Sequence, residues 1–96
     1  MSEPPIYRIV ESSLFKKTKK IAQKRGLDMS LLQEAIRILA SGKPMPPKYR
    51  DHPLRGRLKH LRECHLQDDW LLFYCIYKGK LILSLHGTGT HTDLLE

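Results

Sequence analysis

The chain has 96 residues and a formal net charge of +7, from 17 Lys and Arg residues against 10 Asp and Glu residues. We expect 96 residues to form one domain of modest size, and 41% hydrophobic residues are enough for one small core. No apolar run approaches the roughly 18 residues of a membrane-spanning helix, and the polar, Pro-containing start lacks the pattern of a signal peptide. We therefore expect a soluble cytoplasmic protein that binds no membrane.

The positive charge is concentrated in the first two thirds of the chain. Residues 1–62 hold 15 basic and 5 acidic residues, whereas residues 63–96 hold 2 basic and 5 acidic residues. A basic excess of this size favours a polyanionic partner such as nucleic acid, a ribosome or an acidic protein. A basic surface that only maintains solubility would have the same composition, so charge alone leaves both interpretations open.

The first predicted elements are a strand and a helix. After a disordered lead at residues 1–5, the run IYRIVES (6–12) is rich in β-branched and aromatic residues, which is typical of a short strand. Ser12 or Ser13 then caps a helix that runs to Gly26, a residue suited to a helix exit. The apolar residues expected on the inner face of this helix are Leu14, Ile21 and Ala22, with Phe15 near them.

A second helix is predicted over residues 28–42. It begins either at Asp28 or at a capping box formed by Ser30 and Gln33, and Gly42 ends it. The turn between the two helices is short, which predicts an antiparallel helical hairpin. The inner face of the second helix is expected to hold Leu32, Ala35, Ile36 and Leu39.

The second half of the chain is predicted to contribute three strands. Residues 43–56 contain four prolines and are expected to be irregular. Residues 57–66 form the next strand, residues 70–77 (WLLFYCIY) a continuously apolar central strand, and residues 80–86 return after a tight turn at 78–79. On the first of these strands, one side is expected to hold Leu58, Cys64 and Leu66 and the other Lys59, Glu63 and His65.

These elements follow the order β-α-α-β-β-β, which indicates an α+β fold. The N-terminal strand and the helical hairpin are expected to pack on a mainly antiparallel four-stranded sheet, as a single domain over residues 6–96. The two cysteines, Cys64 and Cys75, both lie in apolar strands and are predicted to be buried thiols rather than a disulfide. The His and Cys spacing matches no paired zinc module, so we expect no metal site and no cofactor.

Acid–base chemistry fits the histidines better than metal binding does. Cleavage of RNA through its own 2′-OH needs a general base, a general acid and cations that stabilise charge on the phosphate. Asp68 and Asp69 lie in a turn where a carboxylate can orient an imidazole, whereas His60 and His86 are expected to be structural or merely exposed. The histidines that a sheet can bring together are His52, His65, His86 and His91, and the cations near His52 are Lys48, Arg50, Arg55, Arg57 and Lys59.

Three blocks of sequence, YRDHPLRG, LRECHLQDDW and GTGTHTDLL, resemble the RelE superfamily of bacterial toxins, and most closely its YafQ-type branch. The resemblance runs from about Tyr7 to the end of the chain, in matching order and spacing. It implies a RelE-like fold and the toxin of a type II toxin–antitoxin pair. Such a toxin enters the ribosomal A site and cuts mRNA without a metal, which leaves a 2′,3′-cyclic phosphate and a 5′-hydroxyl.

The resemblance also implies which residues are catalytic. His91 is predicted as the general acid, His52 or Asp69 as the base, and His65 as a positioning group, while Glu63 stands where relatives have an acidic residue. Leu95 takes the place of an aromatic residue that lies near the scissile nucleotide in relatives. The residues predicted to contact RNA or its phosphates are Lys48, Arg50, Arg55, Arg57, Lys59, Thr90 and Leu95.

The partners implied are a cognate antitoxin, the ribosome and mRNA. The antitoxin usually carries the operator-binding domain, so DNA binding is expected only for the toxin–antitoxin complex. An alternative function is a non-catalytic basic adaptor that binds RNA or protein and has lost nuclease activity. Mapping of new 5′ ends in translated mRNA separates the two, because an adaptor produces none.

Overall fold

The computed structural model describes residues 5–95, which form a five-stranded sheet with three helices. Of the lead predicted at residues 1–5, all but Pro5 lies outside the described residues. The strands are β1 (Arg8–Glu11), β2 (His52–Pro53), β3 (Arg62–Gln67), β4 (Trp70–Tyr77) and β5 (Ile82–Gly89). The helices are α1 (Ser13–Lys24), α2 (Met29–Ala40) and α3 (His91–Leu95).

The sheet has the order β1-β5-β4-β3-β2, and β1 pairs with β5 in parallel while the other pairs are antiparallel. The predicted α+β class is confirmed, but the prediction of four strands is wrong by one. The additional strand is β2, which lies in the proline-rich segment that was expected to be irregular. Pro53 is tolerated there because β2 is an edge strand, which has a partner strand on one side only, and proline lacks the backbone N–H that a central strand would need.

Helix α1 begins where the sequence predicts it, but its inner face is rotated. The Ser12 hydroxyl accepts a hydrogen bond from the Phe15 amide at 2.9 Å, which caps the helix. The buried residues are Phe15, Thr18 and Ala22, whereas Ile21 is 37% exposed, so the prediction that Ile21 faces inward is wrong. A buried face that runs through Phe15 and Thr18 turns Ile21 toward the rim of the helix.

Helix α2 uses the earlier of its two predicted starts. The Asp28 carboxylate accepts a hydrogen bond from the Ser30 amide at 3.0 Å, so Asp28 is the N-cap. The predicted inner face is confirmed for Leu32, Ala35 and Leu39, which are buried. Both α1 and α2 therefore cover the same face of the sheet, in contact with the core cluster that includes Leu72 and Leu85.

The strand boundaries around the site differ from the prediction at two points. Strand β3 begins at Arg62 because residues 56–58 form a 3₁₀ turn, and Leu58 packs on the opposite side of the sheet from Cys64. Strand β5 continues to Gly89, beyond its predicted end at residue 86, so it includes Gly87 and Gly89. The connection between β4 and β5 is a 3₁₀ turn at residues 78–80, which is longer than the predicted tight turn.

Both cysteines are free thiols, as predicted. Cys64 is fully buried, and burial raises the pKa of its thiol to about 12, while Cys75 is only half-buried. None of the helices within residues 5–95 has the length and apolar character needed to cross a lipid bilayer.

Candidate functional site

The candidate site lies on the face of the sheet opposite α1 and α2. A second, smaller cluster of buried residues on this face consists of Leu61, Leu71 and Phe73. Three partly buried leucines cover it from outside the sheet: Leu54 and Leu58, from the segment after β2, and Leu94, from α3. The segment after β2 and the C-terminal helix therefore meet over this face, where β2 contributes His52 and α3 contributes His91.

Glu63 is the centre of the site. It is only 3% exposed, although its place on β3 predicts a polar, outward side chain. Its Oε1 lies 2.9 Å from Nε2 of His52, and its Oε2 lies 2.9 Å from Nε2 of His91. Nε2 of His65 lies 3.8 Å from Oε1. The structure thus brings four of the five predicted catalytic residues together, with one buried carboxylate shared by three imidazoles.

His52 is held over Glu63 by strand pairing and by its neighbour Asp51. In the register of β2 and β3, His52 lies opposite Glu63. Nε of Arg62 donates to Oδ1 of Asp51 at 3.0 Å, and the Tyr74 hydroxyl donates to Oδ2. Burial, together with the bond to Asp51, raises the pKa of Tyr74 above its usual value. Asp51 therefore fixes a strand of only two residues to β3 and β4, a role that no sequence motif indicates.

The contacts of the ring nitrogens differ among the three histidines. Both nitrogens of His52 face oxygen acceptors, because Nδ1 lies 3.1 Å from the Pro53 carbonyl. Nδ1 of His65 lies 3.2 Å from Nη2 of Arg50, which can only donate. Nδ1 of His91 makes no hydrogen bond within residues 5–95, and its Nε2 faces Glu63. Burial, and next the charge of Arg50, lowers the pKa of His65, which favours the neutral ring.

An open cavity of about 470 Å³ lies beside His52 and His91. Its remaining wall is mostly apolar, and Arg55 is the one cation among its lining residues in the described part of the chain. The residues that complete the wall are Pro53, Leu54, Leu58 and Leu95. Arg55 and Leu95, which are both predicted to contact RNA, therefore line the cavity beside His52 and His91, and their contact with RNA stays a prediction.

Asp69 is placed apart from this cluster. It lies exposed in the turn between β3 and β4, and it lines a different cavity together with Arg25, Trp70 and Thr90. Within residues 5–95 it makes no hydrogen bond to any of the histidines. Its predicted catalytic role therefore has no direct geometric partner in this structure and stays a prediction.

The other predicted residues lie around the site in different settings. Arg50 contacts His65, as described above, and the Lys48 ammonium lies 5.2 Å from the centre of the Tyr49 ring. Arg57 and Lys59 are exposed in and after the 3₁₀ turn that follows Arg55. The Thr90 hydroxyl accepts a hydrogen bond from the Asp93 amide at 3.1 Å, so it bonds to local backbone.

One subset of the cluster has donor atoms close enough to hold a metal ion. His52, Glu63 and His65 each offer one ligand atom, and these atoms lie within 4.8 Å of one another. Two imidazoles and a carboxylate suit a first-row transition ion such as Zn²⁺ or Cu²⁺. The expectation of no metal site was based on sequence motifs, and this set is assembled from residues on two paired strands.

The chain matches known proteins over nearly its whole length. Residues 7–96 match the family described as the bacterial toxin of the type II toxin–antitoxin system, YafQ. The mRNA interferase toxin YafQ of Escherichia coli K12 is 38% identical over 91 residues, which are 93% of this chain and 97% of the relative.

Solved structures give the same result. YafQ in the E. coli DinJ-YafQ toxin-antitoxin complex is 36% identical, with a TM-score of 0.85 over 95% of this chain and 99% of that chain. A metal-bound toxin from Helicobacter pylori is 45% identical, with a TM-score of 0.85 over 92% of this chain and 98% of that chain. The chain described here belongs to the YafQ family of bacterial type II toxin–antitoxin toxins.

Proposed function

We propose that this chain is an mRNA interferase that cuts mRNA in the ribosomal A site by acid–base chemistry of its own side chains. The observation that carries the proposal is the buried Glu63 carboxylate, which contacts the imidazoles of His52 and His91 beside an open cavity. An adaptor that only binds RNA does not need a desolvated carboxylate between two titratable rings.

His91 is suited to act as the general base. An ionised carboxylate can only accept hydrogen bonds, so the contact with Glu63 keeps hydrogen on Nε2 of His91 and leaves the lone pair on Nδ1. A carboxylate that holds one imidazole nitrogen while the other takes a proton is the arrangement of known catalytic triads. In this assignment, Nδ1 takes the proton of the 2′-OH, and the 2′-oxygen attacks the adjacent phosphorus.

His52 is suited to act as the general acid. Both of its ring nitrogens face oxygen acceptors, and both contacts are hydrogen bonds only when the ring is a protonated imidazolium. When the bond from phosphorus to the 5′-oxygen breaks, His52 supplies the proton to that oxygen. The products are a 2′,3′-cyclic phosphate and a 5′-hydroxyl. The contacts of the ring nitrogens thus favour the reverse of the roles that the resemblance implied for His91 and His52.

His65 and Arg50 are suited to support the phosphate. The neutral His65 ring accepts from Arg50, which keeps the guanidinium near the cluster as a cation for the charge that develops on the phosphate oxygens. The mostly apolar cavity beside His52 and His91 offers space for a nucleobase next to the scissile bond. Leu54, Leu58 and Leu95 would contact the base faces, which carry no hydrogen-bonding groups.

The similar toxin from Helicobacter pylori is metal-bound, so the role of a metal ion in cleavage needs a test. His52, Glu63 and His65 fit such an ion by their donor chemistry, and they are the residues that would hold it. A bound ion would supply a Lewis acid at the cluster, but it would also occupy imidazole lone pairs. In our proposal the protein's own groups carry both proton transfers, so catalysis does not depend on the ion.

The proposed partners follow from the family and from the charge. We propose a cognate antitoxin, as in the DinJ-YafQ complex, and the ribosome with its mRNA. The net charge of +7 suits both an acidic antitoxin segment and ribosomal RNA. Contact with DNA belongs to the toxin–antitoxin complex, and the place of action is the cytoplasm, where mRNA is translated.

Mapping of cut sites in translated mRNA tests the function. We expect new 5′-hydroxyl ends with the wild type, and the rate of their appearance should fall by about 10² to 10⁴ in the His91→Ala variant, because proton transfer is lost. His60→Ala is the matched control, since His60 is exposed and does not contact Glu63. Wild-type cleavage by His91→Ala would refute the assigned site, and an absence of new ends with the wild type would favour the adaptor.

A second arm of the same assay uses EDTA. We expect chelation to leave the cleavage rate unchanged. Loss of cleavage in EDTA and its return on addition of Zn²⁺ would contradict the metal-independent mechanism.

The basic segment after β2 is predicted to contact phosphates. The triple change Arg55→Gln, Arg57→Gln and Lys59→Gln should weaken ribosome binding and reduce the slope of log affinity against log salt by about two to three units, roughly one for each phosphate that the variant no longer neutralises. Filter binding across a salt series measures this slope. The control is Lys78→Gln with Lys80→Gln, at the turn between β4 and β5. An unchanged slope in the triple variant removes this segment from the interface.

A further inference from the structure

Helix α3 carries His91, but it has only five residues. An isolated helix of this length is not stable in water, because nucleation costs more than its few hydrogen bonds return. The position of His91 over Glu63 must therefore be set by contacts between α3 and the rest of the molecule.

One end of α3 is closed by a reciprocal pair of hydrogen bonds. Oδ2 of Asp93 accepts from the Thr90 amide at 3.0 Å, and the Thr90 hydroxyl accepts from the Asp93 amide at 3.1 Å. This is a capping box with aspartate in place of glutamate. It orders the start of α3, but both of its hydrogen bonds join Thr90 and Asp93 to each other, so they do not by themselves fix where the helix lies.

Strand β5 leaves room for α3 to lie close to the sheet. A Cβ atom on Gly87 would lie 2.7 Å from Cδ2 of Leu94, and a Cβ atom on Gly89 would lie 2.9 Å from Oδ2 of Asp93. Leu94 packs toward the small cluster that includes Phe73. The two glycines thus let α3 approach β5 closely. Leu94 adds apolar contact, but such contact does not fix the orientation of the helix.

The directional contact comes from the end of α1. Nη1 of Arg25 donates to Oδ2 of Asp93 at 2.9 Å, and Nη2 donates to Oδ1 at 3.4 Å. The guanidinium thus holds the carboxylate with its two terminal nitrogens. Arg25 is far from α3 in the sequence, and it follows a helix that packs on β5. The pair therefore joins the C-terminal helix to the body of the protein.

We propose that Arg25 and Asp93 are positioning residues for His91: their ion pair sets the register of α3 on β5 and so keeps Nε2 of His91 against Glu63. This proposal rests on the proposed function of His91. Arg25 is 49% exposed and Asp93 28% exposed in their side chains, and exposed ion pairs contribute little to global stability. The effect is thus expected on the placement of one catalytic group rather than on folding.

The variant Arg25→Gln tests the proposal, with Lys24→Gln as the matched control one residue earlier. We expect Arg25→Gln to lower kcat for mRNA cleavage by about tenfold, with KM changed by less than about twofold, because misplacement of a catalytic group slows the chemical step. Arg25→Lys should recover part of kcat, since it keeps the charge but loses the second nitrogen. The melting temperatures of all three variants should stay close to that of the wild type.

Hydrogen exchange gives a readout that does not depend on activity. The Leu94 amide donates to the Thr90 carbonyl at 3.1 Å within α3, so its exchange reports the order of the helix. It should exchange faster in Arg25→Gln and at the wild-type rate in Lys24→Gln. An equal kcat in Arg25→Gln and Lys24→Gln, or an unchanged Leu94 exchange rate, overturns the proposal. A wild type that cuts no RNA refutes the proposed function, while the exchange rates still decide whether Arg25 holds α3.

Discussion

The Glu63→Gln variant is expected to lose mRNA cleavage by about a hundredfold or more, because a neutral amide replaces the carboxylate that contacts the two imidazoles proposed as catalytic, those of His52 and His91. The side chain keeps its size, so the packing on β3 is retained. His52 and His91 are both about half exposed and can hydrogen-bond to water, so the fold is expected to survive. Single-turnover cleavage of ribosome-bound mRNA measures the loss.

Two measurements make this test specific for Glu63. Glu34→Gln is the control, because Glu34 is an exposed carboxylate whose ion-pair partner, Arg37, is on the same helix. The pKa of His65 should also fall further in Glu63→Gln. In the wild type, the charge of Glu63 raises this pKa and so opposes the lowering that burial and Arg50 cause. An NMR titration reports that pKa. Cleavage near the wild-type rate in Glu63→Gln would remove Glu63 from the mechanism.

The Phe73→Ala variant is expected to lower the free energy of unfolding by about 3 to 5 kcal/mol, because it removes a fully buried aromatic ring and leaves a cavity. Phe73 lies opposite Glu63 in the register of β3 and β4, and the centre of its ring lies 6.4 Å from that of His91. The same change should therefore loosen the packing on which His91 depends. Urea denaturation followed by circular dichroism measures the stability.

Tyr77→Ala is the matched control for Phe73→Ala. Tyr77 is an aromatic residue on the same strand, but it is 48% exposed, so its removal should leave no cavity. Its loss is expected to change the free energy of unfolding by less than about 1 kcal/mol, as for most exposed positions. A loss in Phe73→Ala as small as that expected for Tyr77→Ala would mean that the small cluster contributes little to the fold.

Local sequence patterns predict the elements whose burial is local. The continuous apolar run of β4 and the helical spacing in α2 each contain their own signal, and both elements lie where they were expected. Strand β2 could not be predicted in this way. It has two residues and contains a proline, and its stability comes from pairing with β3 and from the bonds of Asp51 to Arg62 and Tyr74. Those partners are distant in sequence.

Only part of the site could be predicted, because local sequence patterns do not show contacts between residues that are distant in sequence. The resemblance identified His52, Glu63, His65 and His91, and these residues do meet. No pattern indicated that Glu63 would be buried, because the groups that cover it come from α3 and from the segment after β2. Local sequence does not single out Arg25, because its bond to Asp93 depends on where β5 ends. Asp69 fits the family motif, yet it lies apart from the cluster, and its role stays a prediction.

The parallel pairing of β1 with β5 has a consequence for biosynthesis. Arg8 is made long before its partner Ile82, so the first strand stays unpaired until β5 has been synthesised. His91 comes later still. The complete sheet, and the contact of His91 with Glu63, can therefore form only after β5 and the residues of α3 have been synthesised.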